Sequence, residues 1–163
     1  MGKETHDMKR IASFSVNHDL LDKGMYISRV DGDVVTYDIR MKKPNGGDYL
    51  ENGAIHTFEH LFATYVRNTE YSDKIVYIGP MGCRTGFYFL TRDTLSHSQV
   101  LRLVQDSLRF IASYAGEIPG TRREECGNCQ EHDLDGAKES ARDMLRILEQ
   151  WDESQMNYAA QNQ

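Results

Sequence analysis

The run His56-Thr57-Phe58-Glu59-His60 places two imidazoles four residues apart, with a carboxylate directly before the second. On a helix, residues four apart project from one face, one turn above the other. Two neutral imidazoles so arranged can hold a divalent cation at about 2.0–2.1 Å. Glu59 then stands beside the cation, where a carboxylate can move protons. The competing reading is two ordinary helix histidines, one buried and one solvated. The complete pentapeptide on an amphipathic helix favours the metal.

Two histidines do not complete a catalytic centre, which takes three protein ligands and keeps a fourth position open. The candidates for the third are Cys126 and Cys129, in Cys126-Gly127-Asn128-Cys129 far along the chain. One thiolate leaves an open site suited to a borderline cation. Both together would close it and make it structural. The remaining cysteine, Cys83, lies in Gly82-Cys83-Arg84 on a turn beside a cationic residue. It is either a small buried hydrophobe or a thiolate stabilised by a metal or guanidinium.

These side chains need a frame. Ile55, Phe58, Phe62 and Val66 recur at three- and four-residue spacings, which predicts an amphipathic helix from Ala54 to about Arg67. Met25–Val30 and Val34–Met41 read as strands joined by an Asp31-Gly32 hairpin turn. In the second strand Asp38 and Arg40 share the more polar face, which makes Arg40 either a functional cation or a solvated charge paired with Asp38. Lys74–Ile78 and Gly86–Thr91 read as two further strands around the turn that carries Cys83.

Ser96 and Gln99 have the spacing of a capping box. They open a helix whose buried stripe is Val100, Leu103, Val104, Leu108, Ile111 and Ala115, ended by Gly116 and Pro119. Asp133 caps a last helix with the stripe Leu134, Ala137, Ala141, Leu145 and Leu148. Ser13 to His18 alternates briefly before a turn or short helix at 19–22. Strands arriving as hairpins predict an α+β fold, an antiparallel sheet with helices packed on one face. A single domain is expected over 1–163, with loose termini at 1–12 and 152–163.

Composition narrows the partners. A formal charge of −6 speaks against duplex nucleic acid, and the basic pairs Lys42-Lys43 and Arg122-Arg123 are short. No apolar run reaches the roughly 20 residues of a membrane-spanning helix. No apolar segment follows Met1-Gly2-Lys3-Glu4, so a cytoplasmic protein is expected. In that reducing compartment three cysteines serve chemistry or metal binding rather than disulfides.

Five stretches in order carry a resemblance. Ser13-Phe14 with His18, Tyr37-Asp38-Ile39-Arg40, the His56–His60 pentapeptide, Pro80-Met81-Gly82-Cys83-Arg84-Thr85-Gly86, and Cys126-Gly127 with His132-Asp133-Leu134 and Gly136-Ala137 resemble the S-ribosylhomocysteine lyase (LuxS) family. The likeness runs from about residue 13 to 150. It implies His56, His60 and Cys126 as ligands of one iron(II) per subunit, replaceable by zinc or cobalt. It implies Glu59 and Cys83 as the acid/base pair, and Ser13, His18 and Arg40 around the substrate. It further implies a homodimer with active sites at its interface. The expected reaction cleaves S-ribosylhomocysteine to homocysteine and 4,5-dihydroxypentane-2,3-dione, the precursor of the autoinducer-2 signal, within methyl-cycle salvage and quorum sensing.

The chemistry suits those residues. The thioether leaves from one end of the ribose chain while the carbonyl starts at the other. It must migrate along the chain through enediolates before a β-elimination can expel the thiol. Each shift removes a proton from one carbon and delivers one to its neighbour, which calls for two acid/base groups and a Lewis acid. Two other readings compete. One is a metallohydrolase, either of inverzincin type, whose motif has this histidine–glutamate order, or with a two-histidine, one-cysteine centre. The other is a non-catalytic module stabilised by zinc on His56, His60, Cys126 and Cys129.

Overall fold

A computed structural model of the chain describes residues 8–158. Of the termini expected to be loose, residues 1–7 and 159–163 lie outside the described residues. After a short helix, α1 (Ala12–Ser15), the hairpin β1 (Gly24–Asp31) and β2 (Val34–Arg40) turns at Gly32-Asp33. Gly32 takes φ +60, a conformation that favours glycine. β3 (Ile75–Pro80) and β4 (Gly86–Arg92) complete a four-stranded sheet of order β1-β2-β4-β3, antiparallel throughout. Helices α2 (Asn52–Val66), α3 (His97–Ala112) and α4 (Leu134–Leu148) supply the second layer. This is the expected α+β arrangement.

Alternation along the strands decides what each face does. Val35, Tyr37, Ile39, Phe87 and Phe89 are buried in the core shared with the helices. Phe58 of α2 stacks on Phe87 with ring centroids 4.7 Å apart, and Phe62 lies against Phe89 at 5.1 Å. Such aromatic pairs add about 0.5–1.5 kcal/mol each beyond the area they bury. The apolar side of the pentapeptide helix is thus clamped to the sheet, which orients its histidines the other way. Asp38, Arg40 and Tyr88 belong to the alternate set, on the sheet face turned from the helices.

The Ser96–Gln99 capping box forms as its spacing predicts, and Asp133 caps α4 by accepting from the Gly136 amide. Three expectations are corrected. Ser13 to Ser15 belong to α1, not to an extended segment. α3 stops at Ala112, where the Ser113 hydroxyl bonds back to the Arg109 carbonyl at 2.9 Å, so Ala115 is exposed rather than part of the stripe. The segment from Asp152 to Tyr158 is not frayed.

That segment packs along the edge strand β1. Trp151 donates its indole N–H to the Met25 carbonyl at 2.8 Å, and the Ile27 amide donates to the Met156 carbonyl at 2.7 Å. Met156 is fully buried, and Tyr158 stacks on Tyr26 while its hydroxyl donates to Asp38 at 2.6 Å. Three apolar residues so far apart give no periodic pattern in the sequence, yet each fills a place on the sheet.

Burial pushes the phenols of Tyr26, Tyr37, Tyr88 and Tyr158 upward, with the Asp38 charge adding to the effect at all but Tyr37. Above about pH 10 an unfolded chain loses those protons while the folded one keeps them. The folded state then binds more protons, so stability falls as pH rises through that range. Spectrophotometric titration should show four of the nine tyrosines ionising only as the far-ultraviolet dichroism collapses. Ionisation of all nine with the dichroism intact would refute this.

Candidate active site

Two groups of side chains stand out, and they sit in different parts of the fold. The first is built on α2. His56 and His60, both half-buried, lie with ring centroids 4.7 Å apart. His56 Nδ1 faces the Glu131 carbonyl at 2.8 Å and His60 Nδ1 faces the Pro119 carbonyl at 2.9 Å. A carbonyl only accepts, so each Nδ1 carries the proton and each Nε2 presents a lone pair. Gly120 (φ +74) makes the second contact: its backbone sits so close that an added Cβ would lie 3.1 Å from His60 Nδ1.

The segment 113–133 between α3 and α4 has no helix or strand of its own and delivers Cys126. Its Sγ lies 3.4 Å from His56 Nε2. Nitrogen and thiolate ligands of one tetrahedral cation are separated by about 3.5 Å, given bond lengths near 2.0 and 2.3 Å. The spacing of this pair fits the cation. His132, immediately before the α4 cap, completes the cluster: one donor atom each from His56, His60, Cys126 and His132 lies within 4.8 Å of the others. Cys129 is a free thiol and does not belong to this group, so the closed site with two cysteines is not formed.

His132 is not among the expected donors; its sequence signals are its place six residues after Cys126, one before the capping Asp133, and within a stretch that carries the family resemblance. Its ring stacks on His56 at 3.9 Å. Burial, then the neighbouring His56 and His60, hold its imidazole below the usual histidine range. Glu59, on the same helix and half-buried, engages in no hydrogen bond or ion pair among the described residues.

The second group gathers at the end of the sheet. Arg40 donates through one nitrogen to Asp38 at 2.7 Å and through another to the Thr85 hydroxyl at 2.8 Å. Both members of the ion pair are almost wholly buried, at 3% and 1% exposure, so Arg40 is not a solvated charge. Burial works against the guanidinium charge, but Asp38 foremost, with Tyr158 and Cys83, outweighs it and raises its pKa. Thr85 also meets the Cys83 sulfur at 3.0 Å, which joins that exposed thiol to Arg40 through one hydroxyl. Gly86 opens β4 here because any Cβ would overlap the Ile39 carbonyl oxygen.

The cation beside Cys83 in sequence turns elsewhere. Arg84 reaches the Leu50 carbonyl at 3.0 Å, and its guanidinium carbon lies 5.9 Å from the Tyr49 ring centre. It holds φ +62, left-handed for a non-glycine residue, in the turn that exposes Cys83. His18 bonds within its own segment, Nδ1 to the Val16 carbonyl at 2.8 Å, and stands outside the donor cluster. Ser13 lies in α1, and its side chain lies outside the described residues.

An α+β fold with a histidine–cysteine donor cluster of this composition fits the class of metal-binding proteins, and the donor set suits a borderline divalent cation. Comparison with known proteins makes the assignment specific. The profile of the S-Ribosylhomocysteinase (LuxS) family matches residues 11–155, and the chain belongs to that family. S-ribosylhomocysteine lyase of Phocaeicola vulgatus is 47% identical over 157 residues, covering 93% of this chain and 98% of the relative. The lyases of Porphyromonas gingivalis W83 and Clostridium acetobutylicum are 47% and 42% identical, each over 93% of this chain and 99% of the relative. The protein is therefore an enzyme, a lyase by family. No helix among the described residues is long and apolar enough to cross a membrane.

Proposed function

We propose that this protein is a cytoplasmic, iron(II)-dependent lyase that cleaves S-ribosylhomocysteine into homocysteine and 4,5-dihydroxypentane-2,3-dione, the precursor of autoinducer-2. The observation that carries this reading is the donor cluster itself, with two imidazoles locked as Nε2 donors and one thiolate at cation spacing. His56, His60 and Cys126 are the proposed ligands, and zinc or cobalt would fit the same set. When bound, the cation supplies Lewis acidity to the oxygens of the substrate.

The chain's own residues do the rest. Cys83, joined to Arg40 through the Thr85 hydroxyl and acting as the thiolate base, takes a proton from one sugar carbon and returns it to the next, so the carbonyl moves along the chain. Glu59, unpaired and beside His60, handles the later transfers and removes the proton whose loss expels the homocysteine thiolate. Arg40, with Ser13 and His18, orients the hydroxyl or amino-acid portions of the substrate. Carbon–sulfur cleavage is then an elimination, with no net oxidation.

Arg40 and Asp38 project from the sheet face turned away from the helices, whereas the metal donors belong to the helix layer. One chain thus holds the two groups apart, which supports a homodimer whose partner completes each site. The exposed side of the sheet offers an apolar hollow of about 280 Å³ lined by Ile11, Tyr77, Tyr88 and Leu90. Ile11 and Tyr77 are each more than half exposed. A second copy covering that face would bury them.

The test is anaerobic. Iron- or cobalt-loaded protein is mixed with S-ribosylhomocysteine, and free homocysteine is followed with a thiol reagent. Steady release is expected. Its absence from folded, metal-loaded protein would sink the lyase reading and return the metallohydrolase to the field.

A further inference from the structure

His132 differs from the other two histidines of the cluster in what holds its Nδ1. The partners of His56 and His60 are carbonyls, but the partner of His132 is the Thr57 hydroxyl at 3.0 Å. Thr57 is fully buried. Its oxygen already accepts from the Asp133 amide at 2.9 Å. Its own proton needs an acceptor, and among the described residues the acceptor within hydrogen-bonding reach is His132 Nδ1. A buried hydroxyl proton does not go unpaired at small cost; leaving it so loses about 1–3 kcal/mol. The proton therefore points at Nδ1, which must be bare, and the ring proton of His132 sits on Nε2.

That Nε2 is buried and has no hydrogen-bond partner among the described residues. One ring nitrogen of His132 lies within 4.8 Å of donor atoms of His56, His60 and Cys126, and the nitrogen not engaged by Thr57 is Nε2. A nitrogen carrying a proton has no lone pair to give a cation, so His132 is excluded as a fourth ligand in this tautomer. An N–H set beside those donor atoms is instead a preformed donor for an oxygen that arrives there. The stacking of His132 on His56 and its edge contact with His60, at 4.9 Å, leave the ring little freedom to turn.

We propose that Thr57 fixes His132 as its Nε2–H tautomer, and that this N–H is a substrate-touching donor to the oxygen bound at the open metal position. The role extends the lyase reading above and rests on it for the identity of that oxygen. Both residues lie in or beside motifs already singled out: Thr57 within the pentapeptide, His132 next to the cap of α4. Neither had a chemical role there.

Three measurements decide it. In metal-free protein labelled with nitrogen-15 at histidine, well above the ordinary histidine pKa of about 6.5, correlation spectra should show His56 and His60 protonated on Nδ1 and His132 on Nε2. A proton on His132 Nδ1 would overturn the proposal. In cobalt titrations, His132→Ala should keep its affinity within about threefold and keep the thiolate-to-cobalt absorption; a loss of 100-fold or more would make His132 a ligand and overturn it.

In turnover, His132→Ala should lower kcat by about 10²- to 10³-fold, as loss of one oxyanion donor does. His132→Gln, which retains an N–H donor, should recover part of that loss, and Thr57→Ser should behave as wild type. Thr57→Val should lose the tautomer preference in the spectra without losing cobalt. An active His132→Ala enzyme would overturn the proposal. Failure of the unmodified enzyme to release homocysteine would instead remove the lyase reading, with the spectra and cobalt titration still deciding the tautomer.

Discussion

Glu59→Gln is expected to lower homocysteine release by about 10²- to 10⁴-fold while the protein keeps its cation. That range is what positioned proton transfer contributes. The amide has nearly the shape of the carboxylate but cannot take or give up the proton. Glu59 makes no hydrogen bond or ion pair among the described residues, so its loss leaves no partner stranded and the fold should be unmoved. Cys83→Ala should cost a similar factor by removing the other proposed acid/base group, and its exposure makes the change tolerable to the fold. Metal content, melting temperature and turnover measured together separate the cases. A normal rate in either variant would end its assignment, and a lost cation in Glu59→Gln would make that residue part of the metal centre.

The second large effect is on stability. Asp38→Ala removes the carboxylate that both Arg40 and Tyr158 use, at 2.7 and 2.6 Å. Arg40 would then be a nearly fully buried guanidinium with only the Thr85 hydroxyl for company. Breaking a buried pair from one side costs about 3–5 kcal/mol, because the surviving charge has lost its counter-ion and not its burial. For a chain of this size each kcal/mol moves the melting temperature by about 2–4 °C. Thermal unfolding should therefore fall by roughly 6–20 °C. Replacing Arg40 by methionine in the same background should recover part of it, since the stranded charge is then gone. An unchanged melting temperature would mean that water reaches Arg40 and that the pair is not sealed.

The elements that position the site were legible because they obey simple periods. Ile55, Phe58, Phe62 and Val66 repeat at helical spacing and pack as a helix. The hairpins turn at glycine, and Ser96 and Gln99 close their box. Spacing alone left Cys126 as one of two thiols; the family resemblance singled it out, and the loop brings it to His56. What stayed hidden depends on contacts between distant residues. His132 meets Thr57 across 75 positions, and no local pattern encodes that meeting. Alternation placed Asp38 and Arg40 on one face correctly, but whether that face was wet depended on Tyr158, which comes 120 residues after Asp38. Arg84 follows Cys83 in sequence, yet the backbone turn sends its guanidinium to Leu50, and the cation near the thiol comes from another strand.

The segment 113–133 has further significance for the enzyme's lifetime. It is 21 residues without helix or strand, and its anchorage runs through Cys126, the Glu131 and Pro119 carbonyls and the histidines they touch. A cation held there fastens this loop to α2 across some seventy residues of chain. Binding to the folded state alone stabilises it by mass action, in proportion to the logarithm of the free cation concentration. Without the cation, the loop loses that fastening, and its local opening, with the access this gives a protease, costs less. The lifetime of the protein is thus tied to the supply of whatever cation it takes: scarcity would shorten the survival of the catalyst as well as silence it.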